Sequence, residues 1–573
     1  MWLRNTWRQV LAAGREHRLI VDAIVLGFVG AASAQVFLFL LGWANWLFMV
    51  KLAGYIAPGI AQEHGILRQF IGPYGLWLIP AATTLGGLIT GFLVYNLAPG
   101  AEGEGIDDTV RSFHRLGGYI PTRVPFVKTI ASAITIGSGG SAGREGPAAL
   151  IAAGFASIYA RGGRRSEADT RLLIVIGMAA GLSAIFRSPI GTAFFAIEVL
   201  YSEMDFESPA LVYTTVSAVV AYAVNGLFVG FEPLFRFPEA IMPRHPSDYL
   251  WYAVLGLASG TLAAVVPVVF YGIRDAFRAF PIPVQLKPAA GGFLVGITAL
   301  ALPQILAGGY GWMQEAIDGR LPAALMLLLA LAKLITFAFS VGSGGSGGGF
   351  APALYIGAML GGFLGNVFHQ PVAGFVLVGM ASVFAGAARV PIAAMLMVIE
   401  LTGGYHMLVP AALAVVLSYV VQVTLSRPFP YKSLYGQQVP TRAYSPAHRA
   451  EHLRIAVDLL NQPGIAMHSP VGRLELVSLL ASGVPVSLPD GRRMRIGVLR
   501  PSSKYVGRTI TSRCLSEQPR DVDVIRVWRN GTAIWPLAME AVLEDGDRIL
   551  MIASEAAWKR LGQDLDPFPT EPA

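Results

Sequence analysis

The 573-residue chain has one cysteine, Cys514, which excludes an internal disulfide and any cysteine-based metal cluster. Cys514 reads as inert packing rather than a redox sensor, and neither a metal nor a cofactor is expected. Charge is equally sparse: 14% of residues are charged against 54% apolar, with a mean hydropathy of +0.56. That excludes a soluble globular protein of this length. No basic segment is interleaved with aromatics, so the net charge of +7 does not signal a nucleic-acid partner. No short apolar core precedes a small-residue cleavage site, so no cleavable signal peptide is expected.

What the chain does have is apolar length. Residues 19–50, 75–98, 249–271, 322–341 and 407–425 each reach the roughly 17 to 25 residues that cross a bilayer. The 65 glycines and 37 prolines fall heavily inside apolar segments. Irregular backbone cannot face lipid, so this predicts broken and re-entrant helices lining a polar path. Residues 1–18 form an amphipathic lead-in, and Arg4, Arg8, Arg15 and Arg18 ahead of the first span predict a cytoplasmic N-terminus. Asp107 and Asp108 are placed as N-cap and first-turn acid of a helix over 109–116, and His114 as a surface residue of that helix.

From 437 the composition becomes polar. Residues 437–490 read as a cytoplasmic linker, and alternating runs at 494–499, 522–528, 533–537 and 548–553 predict a small α/β domain over 491–565. A disordered tail is expected over 566–573.

One phrase occurs twice. Residues 137–148 read GSGGSAGREGPA and 342–353 read GSGGSGGGFAPA, identical at eight of twelve positions. Each opens into an apolar helix through Pro147 or Pro352. Unpaired amides and the positive end of a helix dipole bind anions. No Gly-Lys-Ser/Thr follows, so this is not a nucleotide loop, and no enzyme activity is expected. The repeat continues upstream, pairing Lys128 with Lys333, and downstream, where 177–198 and 379–400 share eight of twenty-two positions, including Arg187 with Arg389, Pro189 with Pro391 and Glu198 with Glu400. The fold class is therefore an all-α polytopic membrane protein of two homologous halves over 19–436, plus the small α/β domain. If both helix ends serve one site, the halves are inverted.

Gly143-Arg144-Glu145-Gly146-Pro147, Gly349-Phe350-Ala351-Pro352, Gly103-Glu104-Gly105-Ile106 and Tyr431 resemble, in order and spacing, the signatures of the CLC family of chloride channels and proton/chloride exchangers. The resemblance implies a homodimer in a bacterial inner membrane with one anion pathway per subunit. By it, Glu145 is the gating glutamate, and the amides of Arg144, Glu145, Gly146, Gly349, Phe350 and Ala351 hold chloride or a similar monovalent anion. Tyr431 is the inner tyrosine that donates to it. The segments at 505–509, 524–531 and 543–550 are similar to the C-terminal ligand-sensing (TrkA-C) half of potassium-conductance regulators, which implies a small regulatory ligand and cytoplasmic placement.

Two positions depart from the pattern. Glu198 is followed by Val199, where proton-coupled members carry an internal glutamate, and valine cannot relay a proton. This favours a gated passive channel over a proton-coupled exchanger; a cation channel with a regulator domain is disfavoured by the positive helix ends. Glu198 and Glu400, being repeat partners, read as structural contacts. The second departure is Glu104, at the place of the family's central serine. It is protonated, turned away, or acts as an inner gate. Lys128 and Lys333 either concentrate anions or bind helix-end carbonyls.

Overall fold

The computed structural model describes residues 14–448 apart from 61–64, 66–67, 239–240 and 244, and then 486–487, 492–511, 514–515, 521–529, 532–535 and 542–567. It comprises two compact units, Met1–Arg442 and Ala443–Ala573.

Among the described residues of the first unit, eight helices are followed by eight counterparts. They are α1 (Arg15–Asn45), α2 (Ile79–Leu97), α3 (Ile106–Arg115), α4 (Arg123–Gly137), α5 (Glu145–Gly162), α6 (Glu167–Phe186), α7 (Pro189–Glu198) and α8 (Leu211–Val229). The second series is α9 (Pro246–Ala279), α10 (Lys287–Ala301), α11 (Tyr310–Ile317), α12 (Ala323–Gly342), α13 (Phe350–Val367), α14 (Val372–Ala388), α15 (Pro391–Thr402) and α16 (Leu408–Leu425). Among the described residues, eight helices are long and apolar enough to cross a membrane. Four of the five expected spans coincide with members of that set, and the fifth is α2.

Chain breaks repeat as well. Both α6 and α14 end on an arginine in the left-handed region, Arg187 (φ 55°) and Arg389 (φ 58°), and Pro189 and Pro391 then open the next helix. A non-glycine residue there costs about 1 kcal/mol or more and needs support. Arg187 donates to Glu232 O (3.1 Å), and Arg389 donates to Gln422 Oε1 (3.1 Å) and Ser426 Oγ (2.8 Å).

Reciprocal contacts fix how the halves meet. Gly143 and Gly348 pair antiparallel, each amide donating to the other's carbonyl at 2.7 Å. Glu198 accepts from the amides of Ile392 (3.1 Å) and Ala393 (2.7 Å), and Glu400 accepts from those of Ile190 (3.2 Å) and Gly191 (2.8 Å). Contacts in which i meets j and j meets i define a two-fold relation. The halves are therefore inverted about an axis that passes between the glycine runs.

Three local expectations change. Arg15 to Arg18 belong to α1 itself rather than to a separate lead-in, while residues 1–13 lie outside the described set. Gly105 (φ 86°) caps α3, so Asp107 and Asp108 both stand in its first turn. His114 is buried, its Nε2 2.9 Å from Leu200 O and its ring edge-on to Tyr201. The membrane unit runs to Arg442 because the chain beyond Tyr435 is strapped down. Gln437 N donates to Asp107 Oδ1 (2.7 Å), Gln438 Nε2 to Val199 O (3.0 Å) and Ala388 O (3.1 Å), and Arg442 N to Asp205 Oδ2 (2.7 Å).

The described residues of the second unit form an antiparallel sheet of β3 (Val486–Ser487), β4 (Arg493–Leu499), β5 (Val522–Arg529), β6 (Thr532–Trp535), β7 (Arg548–Ala553) and β8 (Leu565–Pro567), in the order β3-β4-β7-β5-β6 with β8 on β4, and include the helix α17 (Glu555–Leu561). Shorter strands β1 (Tyr55–Ile56) and β2 (Phe70–Ile71) form a separate pair in the membrane unit. Residues 565–567, partly expected in the tail, thus extend the sheet, while 568–573 and most of the expected linker lie outside the described residues. The Gly546-Asp547-Arg548 motif has a structural use: buried Asp547 accepts both prongs of Arg529 at 2.8 and 2.9 Å. Burial pushes the Cys514 thiol up, consistent with packing.

Candidate anion pathway

The site starts from what the glycine runs leave undone. Neither α5 nor α13 has a side-chain cap, and the next amides, Ala148 N and Ala353 N, already bond back to Arg144 O (3.1 Å) and Gly349 O (3.0 Å). The earliest amides of both helices therefore point outward from an uncapped positive end. Glycine is required for the two ends to approach. A Cβ on Gly348 would lie 2.7 Å from Gly146 N, and one on Gly143 would lie 3.0 Å from Ala351 N and collide with Glu145 Oε2.

That last collision locates the Glu145 carboxylate. It is fully buried beside the first turn of α13, with Arg144 Nε 3.9 Å from Oε1. The Arg144 guanidinium lies 4.7 Å from the Tyr310 ring centroid, which draws it toward α11 as well as toward its neighbour.

Glu104 reaches the same junction from outside the repeat. Its backbone segment is clamped between the runs: Gly103 N donates to Gly345 O (3.0 Å) and Gly347 N to Gly103 O (3.1 Å). Its carboxylate is buried, and Oε1 would be 2.8 Å from a Cβ on Gly349, at the N-cap of α13. The side chain is therefore not turned away from the junction. Around the same helix end Phe186, Phe195, Phe350 and Phe384 pack ring to ring, with Tyr435 closing the cluster 6.4 Å from Phe195.

Residues 86–423 match the family described as voltage gated chloride channel. The chain belongs to that family. It is similar to the voltage-gated ClC-type chloride channel ClcB of Escherichia coli (strain K12), 28% identical over 431 residues that cover 74% of this chain and 99% of that one. It is also similar to chloride channel protein CLC-e of Arabidopsis thaliana, 31% identical over 378 residues, 60% of this chain and 52% of that one. Among solved structures, a slow cyanobacterial Cl-/H+ antiporter shares the fold with a TM-score of 0.61 at 23% identity, covering 73% of this chain and 95% of that one. A CLC-type fluoride/proton antiporter does so with a TM-score of 0.60 at 23% identity, covering 74% and 96%.

Within this family member the tyrosines differ from expectation. The Tyr431 hydroxyl is committed elsewhere: it donates to Asp275 Oδ2 (2.7 Å) and accepts from Arg274 (3.2 Å), and its ring stacks on Tyr271. Tyr435 is the buried one, its hydroxyl without a hydrogen-bond partner among the described residues and within electrostatic reach of Glu104 and Glu145. Sequence reading missed it. Tyr431, Tyr435 and Tyr444 all follow the last span, and only the packing of Leu434 N onto Ala387 O (2.8 Å) and Tyr271 Oη onto Leu434 O (2.8 Å) turns Tyr435 inward.

Val199 is buried at the end of α7, and its carbonyl accepts from Gln438. Lys128 Nζ donates to Ala101 O (3.2 Å) and Gly103 O (2.6 Å), and Lys333 Nζ to Ile305 O (2.8 Å) and Ala307 O (2.5 Å). Each lysine thus binds carbonyls of a short turn, and in the first half that turn carries Glu104. Glu198, with both oxygens taken by amides of α15, is placed as a helix cap. Replacing Glu198 or Glu400 by Leu strands two amides, at about 1 to 3 kcal/mol for each buried one. The expected outcome is a lowered melting temperature in detergent for both variants; a Glu198→Leu protein that melts like wild type while its proton-linked flux changes would point to a proton role instead.

Proposed function

We propose that the membrane unit moves a monovalent anion, chloride first, by gated passive conduction with the Glu145 carboxylate as the gate. The observation that carries this is the meeting of two uncapped helix ends with that carboxylate lodged between them. Partial charges on amides attract an anion without holding it as tightly as a full positive charge would, so it can leave. Arg144, Gly146, Gly349, Phe350 and Ala351 supply backbone, and Tyr435 rather than Tyr431 supplies the hydroxyl. A carboxylate in the anion's place excludes it until the side chain swings away or takes a proton.

Val199 supports passive conduction, because no carboxylate follows Glu198. Proton-coupled exchange is the second reading, favoured by the buried Glu104 carboxylate at the same junction. Homodimeric assembly, an inner-membrane location with both termini cytoplasmic, and a small regulatory ligand for the second unit complete the reading. Reconstituted protein in chloride-loaded liposomes tests it: an imposed pH gradient leaves chloride at equilibrium for a channel and drives it uphill for an exchanger. A dilution potential set by potassium rather than chloride would remove both.

A further inference from the structure

Two carboxylates stand at the junction of the helix ends, Glu145 from within the doubled phrase and Glu104 from outside it. Lys128 and Lys333 bind equivalent turns, Ala101 and Gly103 in one half and Ile305 and Ala307 in the other, so the position equivalent to Glu104 is Gly308. The first half has therefore added a side chain where the second has none. That side chain is 6% exposed, and both of its carboxylate oxygens are buried without a hydrogen-bond partner among the described residues. Buried carboxylates are ordinarily hydrogen-bonded or paired. Here Oε1 lies at the uncapped N-cap of α13, the end that would receive an anion.

The groups facing it come from four directions: Asp107 on α3, Lys128 on α4, Arg274 on α9, and the hydroxyls of Tyr271 and Tyr435. Lys128 is committed to backbone carbonyls, and Arg274 to Asp275 and the Tyr431 hydroxyl. Neither cation is hydrogen-bonded to Glu104. The carboxylate's nearest favourable partner is thus the helix end itself, which is also the anion's partner.

We infer that Glu104 is a tethered anion that competes with the transported one for the N-terminus of α13, making an inner gate in series with Glu145. The path then contains two resident carboxylates at the one junction, Glu145 beside the first turn of α13 and Glu104 at its N-cap. A proton on Glu104 neutralises it and frees the helix end, so anion occupancy and proton occupancy rise together. Asp107 opposes the charged form of Glu104, while Lys128 and Arg274 favour it, and the pH midpoint reports their balance.

The inference rests on the transport reading, and its test separates the two. Chloride efflux from liposomes is measured at symmetric pH 7.5 and 5.0 for Glu145→Gln and for Glu145→Gln combined with Glu104→Gln. The single variant, its outer carboxylate neutral at every pH, is expected to gain at least about tenfold in flux on acidification; the double variant is expected to be fast at both. A flat single variant, or a double variant with the single's pH profile, overturns the inner gate and leaves anion transport standing. Glu104→Ser in place of Gln covers a folding failure of the amide. Absence of chloride flux in every variant would remove the transport reading. In that event calorimetric chloride titration of the detergent-solubilised full chain decides: wild-type affinity rising as pH falls, with Glu104→Gln tight and pH-independent, supports competition, and equal affinities overturn it.

Discussion

Glu145→Gln is expected to conduct at least about tenfold more anion than wild type at a given pH, with its dependence on membrane potential flattened. The substitution keeps the side chain's size and removes its charge. Two unit charges about 4 Å apart repel by about 4 kcal/mol at an effective dielectric of 20, whereas tenfold in occupancy needs only about 1.4 kcal/mol. The carboxylate is fully buried beside the first turn of α13, so solvent does little to blunt that repulsion. Arg144, at 3.9 Å, offsets part of it, which is why the expectation is set at tenfold and not at the full Coulombic figure. Efflux from chloride-loaded liposomes, with the potential clamped by a potassium ionophore, reads the effect. Wild-type flux and voltage dependence in the variant would show that Glu145 lies in a structural ion pair with Arg144 and does not gate.

The second large effect belongs to a methyl group. Gly146→Ala would drive a Cβ into Glu104 O and set it 2.9 Å from Gly348 Cα. Neither obstacle is a flexible side chain, so the helix ends must separate. Overpacking of this kind costs about 1 to 3 kcal/mol, and here it moves the donors that face the anion. Flux is expected to fall by at least about tenfold, with chloride affinity falling in step. Gly162→Ala, at the far end of the same helix with nothing within 4 Å of its Cβ, is the control and should match wild type in both flux and melting temperature. Equal behaviour of the two alanine variants would mean that the runs do not need their close approach.

These two expectations draw on different kinds of information. The doubled phrase, the repeated pairs Arg187 with Arg389 and Pro189 with Pro391, and the membrane character all lie in local composition and spacing. A repeat can be read without knowing how its copies touch. The place of Glu145 at the start of a helix can be read too, whereas its proposed role as gate comes from the resemblance to the CLC family. Tyr435 was not legible, because its inward turn depends on partners as distant in sequence as Tyr271 and Ala387. His114 misled for a related reason: it is expected on the helix surface, and the segment that follows α7 covers it through Leu200 O.

By itself, then, the sequence determined a two-fold repeated, helical membrane unit in which each glycine run opens into a helix, because hydrophobic length, glycine runs and proline breaks act within a few residues of themselves. Tertiary structure alone decided that the copies pair antiparallel through Gly143 and Gly348, and that Glu198 and Glu400 cap each other's partner helices. It also decided that Glu104 faces the α13 end. Those outcomes depend on which buried amide finds which acceptor across some two hundred residues, and spacing along the chain carries no record of that choice.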